Sequence, residues 1–183
     1  MQRQINQQSD QELWESLRGG SKVAFSILYK RHIFALFTFG LKFNADKAVL
    51  EDTLQELFYE YWTKRVDLPS VANVKVYFLS SLRYKLIRKQ RDLKKSKLIS
   101  LEDLLKDIPE FPMMDSEFST QRKLILKEKI NQLPTRQREI IHLRYYHNLS
   151  NEDIAKILEM NYQSVANLLH RALKNLKSKV LSN

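Results

Sequence analysis

Gln163, Asn167, His170, Arg171 and Lys174 recur at spacings that gather them on one side of a helix near the C-terminus, with Ser164 beside them. Their amide, imidazole, guanidinium and ammonium groups can hydrogen-bond the base edges or phosphates of a duplex. From Gln163 onward the chain contains no Asp or Glu that would repel DNA. On periodicity alone a solvated face of an amphipathic hairpin fits equally well. The absent acids and the spacing of the flanking caps favour DNA.

Those side chains need a rigid carrier, and the stretch from Leu149 to Leu176 supplies one in the form of a helix-turn-helix. Ser150, followed three residues later by Asp153, is the spacing at which a hydroxyl and a carboxylate satisfy the open N–H groups of a helix start. Ile154, Ala155, Ile157 and Leu158 then give a short helix one apolar face. Glu159, Met160 and Asn161 break it, with Asn161 able to cap the next helix. In that second helix Val165, Leu169, Ala172 and Leu176 are expected in the core, with Leu168 and Leu173 on the flanks.

The chain has 183 residues, a formal net charge of +10, three Gly, four Pro and no Cys, with a pI near 9.7. Few turn residues and few alternating apolar runs leave little from which to build a sheet. The expectation is an all-α protein of two small helical domains, 1–95 and 120–183, joined by an acidic linker at 96–119. The basic balance fits a polyanionic partner, nucleic acid or membrane surface. The sequence lacks a run of about 18 apolar residues, and its polar start lacks the apolar segment of a signal peptide, so the expected location is cytoplasmic, with no membrane insertion. Without Cys there are no disulfides or thiolate metal sites.

In the first domain Leu13, Trp14 and Leu17 mark a short amphipathic helix that Gly19 and Gly20 end, and a second begins at Ala24, Phe25, Leu28 and Tyr29. Between Asp46 and Trp62, Leu50, Leu54, Leu57, Phe58 and Tyr61 point to a core. Asp52, Gln55, Glu56 and Tyr59 point away. That acidic face could dock a basic protein helix, although a solvated face is the commoner explanation. Next, from Asn73 to Lys97, nine basic residues stand against Asp92 alone, interleaved with Tyr77, Phe78 and Tyr84. Cations that follow a backbone and rings that stack on unpaired bases are what single-stranded nucleic acid requires. Leu79, Leu82 and Leu86 define the buried side, so at least one of Tyr77 and Phe78 is expected in the core. From Leu98 to Ser119 the charge inverts, and Pro109 and Pro112 preclude a continuous helix. Beyond it, Leu133, Pro134 and Thr135 form a break and a cap before a helix that buries Ile140, Ile141 and Leu143.

Taken in order these segments resemble the extracytoplasmic-function group of bacterial sigma factors, the two-domain promoter-recognition subunits of RNA polymerase. LWESLRGGSKVAFSILYKRH looks like the start of their first domain, and EDTLQELFYEYW like their Asp-x-x-Gln-Glu-x-Phe helix at Asp52, Gln55, Glu56 and Phe58. LPTRQREIIHLRYYHNLSNEDIAKIL with NYQSVANLLHRALKNL is similar to their second. The wording YQSV-x-NLLHRA resembles the iron-citrate-regulator-like branch. The resemblance implies core polymerase binding through Asp52, Gln55, Glu56 and Tyr59. It implies binding and melting of the −10 element by Asn73, Lys75, Arg83, Tyr84, Lys85, Arg88 and Lys89. Reading of the duplex −35 element would fall to Gln163, Ser164, Asn167, His170, Arg171 and Lys174. An anti-sigma factor is an expected partner, and no cofactor or metal is implied. Three positions depart from the pattern. Tyr84 stands where relatives often have Asn, Ala166 and Leu168 where basic residues are common, and Glu159 where a turn Gly is usual.

Two other classes compete. A LuxR-type regulator has a similar C-terminal pattern but would follow a domain containing a sheet, whereas the preceding 120 residues here show helical periodicity. A helical adaptor would bind protein alone. An enzyme is not expected: His32, His142, His147 and His170 are scattered, and no H-E-x-x-H, Walker or nucleophile-elbow pattern is present. Of the four, His170 is the one on a polar face.

Overall fold

The computed structural model describes residues 7–42, 46–96 and 117–181, and among these there is no strand. The chain divides into two compact units, Met1–Glu102 and Asp103–Asn183. Most of the stretch expected as an acidic linker, 97–116, lies outside the described residues. Among the described residues no helix is long and apolar enough to cross a membrane.

The first unit is built from α1 (Asp10–Arg18), α2 (Lys22–Lys42), α3 (Lys47–Thr63) and α4 (Val74–Ser96), with a 3₁₀ turn at Arg65–Asp67. Ser9 and Glu12 form a reciprocal capping box at the start of α1. Gly20, at φ +91, turns the chain into α2 in a conformation that a side chain would strain. Asp46 caps α3 through the N–H groups of Ala48 and Val49. Asn73 accepts from the N–H of Val76 at the start of α4.

All five residues of α3 expected in the core, Leu50, Leu54, Leu57, Phe58 and Tyr61, are buried. They meet an aromatic cluster around Trp14, whose ring lies 5.7 Å from Tyr61, 5.3 Å from Tyr77 and 5.6 Å from Phe78. The Trp14 indole N–H donates to Pro69 O at 2.9 Å, so the loop before α4 is tied to the same cluster. Helices α2 and α3 approach closely at Gly40, where a Cβ would stand 2.2 Å from Leu50 Cδ1.

The second unit comprises α5 (Glu117–Asn131), α6 (Thr135–Ile141), a π turn at His142–Tyr146, α7 (Asn151–Leu158) and α8 (Tyr162–Leu181). Helix α5 begins inside the stretch expected as linker. Pro134 rather than Thr135 occupies the cap position of α6, and Thr135 is its first helical residue. Proline suits that place because a helix start has no intrahelical use for its N–H. Ile140, Ile141 and Leu143 are buried as expected, together with Glu139, His142 and His147.

Candidate nucleic-acid and protein interfaces

The helix-turn-helix is closed by local hydrogen bonds. Ser150 Oγ accepts from the N–H of Asp153 at 3.1 Å. At the other end of α7 the chain turns through Glu159 in the left-handed region, φ 54 and ψ 47, and the Met160 N–H reaches back to Ala155 O at 3.0 Å. Asn161 Oδ1 then accepts from the N–H of Ser164 at 2.7 Å, which starts α8.

The core side of α8 is Val165, Leu168 and Ala172, all buried, while Leu169 and Leu176 are only half-buried and Leu173 is exposed. The seam is therefore turned by about one residue from the one expected through Leu169. Leu168, marked in the sequence as a departure from a commonly basic position, packs inward. Opposite that seam Gln163, Asn167, His170, Arg171 and Lys174 are all exposed, with Ser164 half-buried at their edge. Gln163 Nε2 donates to Asn167 Oδ1 at 3.2 Å, aligning two amides along the helix. The four histidines divide cleanly: His32, His142 and His147 are buried and His170 is exposed.

In the first unit Asp52, Gln55, Glu56 and Tyr59 form one exposed face of α3, with Tyr59 at 69% exposure. Beside that face, Gln55, Glu56, Phe58 and Tyr59 line an open groove together with Phe25, Ser26 and Tyr29 of α2. In the sequence Phe25 and Tyr29 marked only the start of a helix. Tyr29 is 42% exposed and packs 4.8 Å from Phe58, so it serves as a wall of the groove.

The basic helix α4 sorts its residues by direction. Phe78 is buried and Tyr77 half-buried against Trp14, so both rings are used by the core. Lys75 is half-buried, and burial pushes its ammonium below the usual lysine range against the pull of Asp10. Asn73 is exposed but spends its side chain on the helix cap. Lys85 reaches Glu60 at 2.7 Å and Lys89 reaches Glu56 at 2.8 Å, so both turn toward α3. Arg83 is half-buried. Tyr84, at 62% exposure, and Arg88, one turn further along, face solvent. Of the seven positions expected to meet separated strands, those two present an open ring and cation.

Residues 123–176 match the family model described as Sigma-70, region 4. The chain is similar to the ECF RNA polymerase sigma factor SigX of Bacillus subtilis, 25% identical over 158 residues that cover 84% of this chain and 81% of the relative. Its fold is similar to that of CnrH, solved in complex with the cytosolic domain of CnrY, at TM-score 0.66 and 19% identity, covering 95% of this chain and 98% of that one. It is also similar to RpoE of Bartonella quintana, solved in complex with the anti-sigma factor NepR, at TM-score 0.65 and 22% identity, covering 85% and 96%.

Proposed function

We propose that the chain is an extracytoplasmic-function sigma factor, which binds core RNA polymerase and directs promoter-specific transcription initiation, a reading supported by the region 4 match and the likeness to SigX, and that its surfaces divide that work. The exposed face of α3, Asp52, Gln55, Glu56 and Tyr59, holds core polymerase, with the α2 side of the groove contributing Phe25 and Tyr29. Helix α4 engages the separated −10 strand. Tyr84 stacks on a base, Arg88 meets phosphate, and the remaining cations Lys75, Arg83, Lys85 and Lys89 supply the field that draws the strand in, above the cap at Asn73.

Helix α8 enters the major groove of the duplex −35 element. Gln163, Ser164, Asn167 and His170 face base edges while Arg171 and Lys174 hold phosphate. The observation that carries this reading is the exposure of Gln163, Asn167, His170, Arg171 and Lys174 on one acid-free face of a helix whose start is capped by Asn161. On this reading domain 1–95 serves polymerase and the −10 element, domain 120–183 the −35 element, and 96–119 the connection. The protein acts in the cytoplasm, where polymerase and promoter are. An anti-sigma factor is its expected inhibitor, as NepR is the partner in the RpoE complex.

Fluorescence anisotropy with promoter DNA, with and without core polymerase, tests the reading. A sigma factor binds the promoter tightly and opens it only with core, whereas a LuxR-type regulator binds duplex unaided and an adaptor gives no promoter-dependent signal. Reversing the charges at Asp52 and Glu56 should abolish co-purification with core while leaving circular dichroism unchanged. Undiminished co-purification would remove α3 from the interface.

A further inference from the structure

Helices α3 and α4 run antiparallel along a seam crossed by two ion pairs. Glu56 Oε1 stands 2.8 Å from Lys89 Nζ, and Glu60 Oε1 stands 2.7 Å from Lys85 Nζ. The two acids are one turn apart on α3 and the two lysines one turn apart on α4, so the pairs form a two-rung ladder. Glu56 also lies on the exposed face with Asp52, Gln55 and Tyr59, and Lys89 lies on the helix that presents Tyr84 and Arg88. The outer rung thus joins a carboxylate offered to protein with an ammonium offered to nucleic acid. Their side chains keep 51% and 30% of their exposure, so a competing ion reaches either half without unfolding anything.

We propose that the Glu56–Lys89 pair is a latch coupling polymerase engagement to capture of the separated promoter strand, an inference that rests on the surface assignments made above. In the free chain each group neutralises the other. When a polymerase cation takes Glu56, Lys89 loses its carboxylate and is left for a strand phosphate. The coupling is reciprocal, because a phosphate held by Lys89 leaves Glu56 open to polymerase. The Glu60–Lys85 rung lies at the seam edge of α3, away from Asp52 and Tyr59, and keeps the two helices in register while the outer rung exchanges partners.

Anisotropy of the full chain with a single-stranded −10 oligonucleotide tests the latch in four proteins: wild type, Glu56→Gln, Lys89→Gln and the double variant. Glu56→Gln should tighten strand binding by about two- to fivefold, the range of a partly exposed pair. It should also steepen the log–log salt dependence by about 0.7, one additional phosphate contact on a single strand. Both gains should vanish in the Lys89→Gln background. Equal gains in that background, or none at all, overturn the latch. Lys89→Gln should tighten core polymerase binding by a similar factor, and unchanged or weaker core affinity also overturns it. Arg88→Ala keeps the two levels apart. Strand binding sensitive to Arg88 with an additive Glu56 effect removes the latch alone, whereas binding indifferent to both Arg88 and Lys89 removes the strand surface itself.

Discussion

Asn167 and Lys174 share the exposed side of α8 but differ in chemistry, one an amide that can pair with a base edge and the other a mobile cation. Asn167→Ala should lower discrimination at one −35 base step by about 1–3 kcal/mol, read as the ratio of affinities for matched and substituted duplex. Lys174→Ala should weaken all sequences alike and reduce the salt slope by about one unit. Equal losses on matched and scrambled DNA for Asn167→Ala would take that residue out of base reading. His32 offers a different test. Its Nε2 lies 2.6 Å from Asp10 Oδ2, yet burial pushes its pKa below the ordinary 6.5 against the pull of that carboxylate. The unfolded chain then takes up the proton first as pH falls through 6.5. Stability drops from there until the pH passes the lower folded value, and above 6.5 the group contributes nothing. In NMR titration the His32 ring should change charge below pH 6.5; a midpoint at or above 6.5 contradicts the assignment. The polar face of α8 was legible in the sequence because it depends on types and spacing along one helix. The burial of His32 was not, since Asp10 reaches it from α1, and Lys75 and the Phe78 ring from α4.

The helix starts at Ser150 and Asn161 were readable, because each side chain accepts from an N–H three residues on, although for Ser150 only that half of the expected exchange with Asp153 is made. The cap expected at Thr135 falls instead on Pro134. The sequence reading fails where packing from a distance decides. Which of the adjacent Leu168 and Leu169 faces inward is set by the helices that cover α8, and the π turn at His142–Tyr146 has no periodic signature of its own. Two substitutions test the elements as described. Glu159 holds a left-handed conformation that costs an ordinary residue about 1 kcal/mol, so Glu159→Gly should raise stability in chemical denaturation by roughly that amount. Gly40→Ala gains helix propensity but drives a methyl into the fully buried Leu50, and a net loss of about 1–2 kcal/mol is expected. A stabilising Gly40→Ala would mean that α2 and α3 are not in close contact there.

At the scale of the molecule, 31 basic residues against 21 acidic ones set the sign of the partner, and the fold decides which cations are open to it. The sequence showed nine cations between Asn73 and Lys97 without showing that Lys85 and Lys89 turn to Glu60 and Glu56, because those acids lie a helix away. Among the described residues the exposed groups include an acidic and aromatic face on α3, Tyr84, Arg88 and Arg91 on α4, and an acid-free face on α8. Transcription from a randomised promoter library by purified core polymerase, with and without this chain, tests that division of surfaces most directly. The account predicts that transcripts dependent on the chain share two conserved blocks, at −35 and −10, and that Asn167→Ala relaxes the −35 block alone. Transcription that the chain leaves unchanged, or enriched promoters with no −35 block, would contradict it.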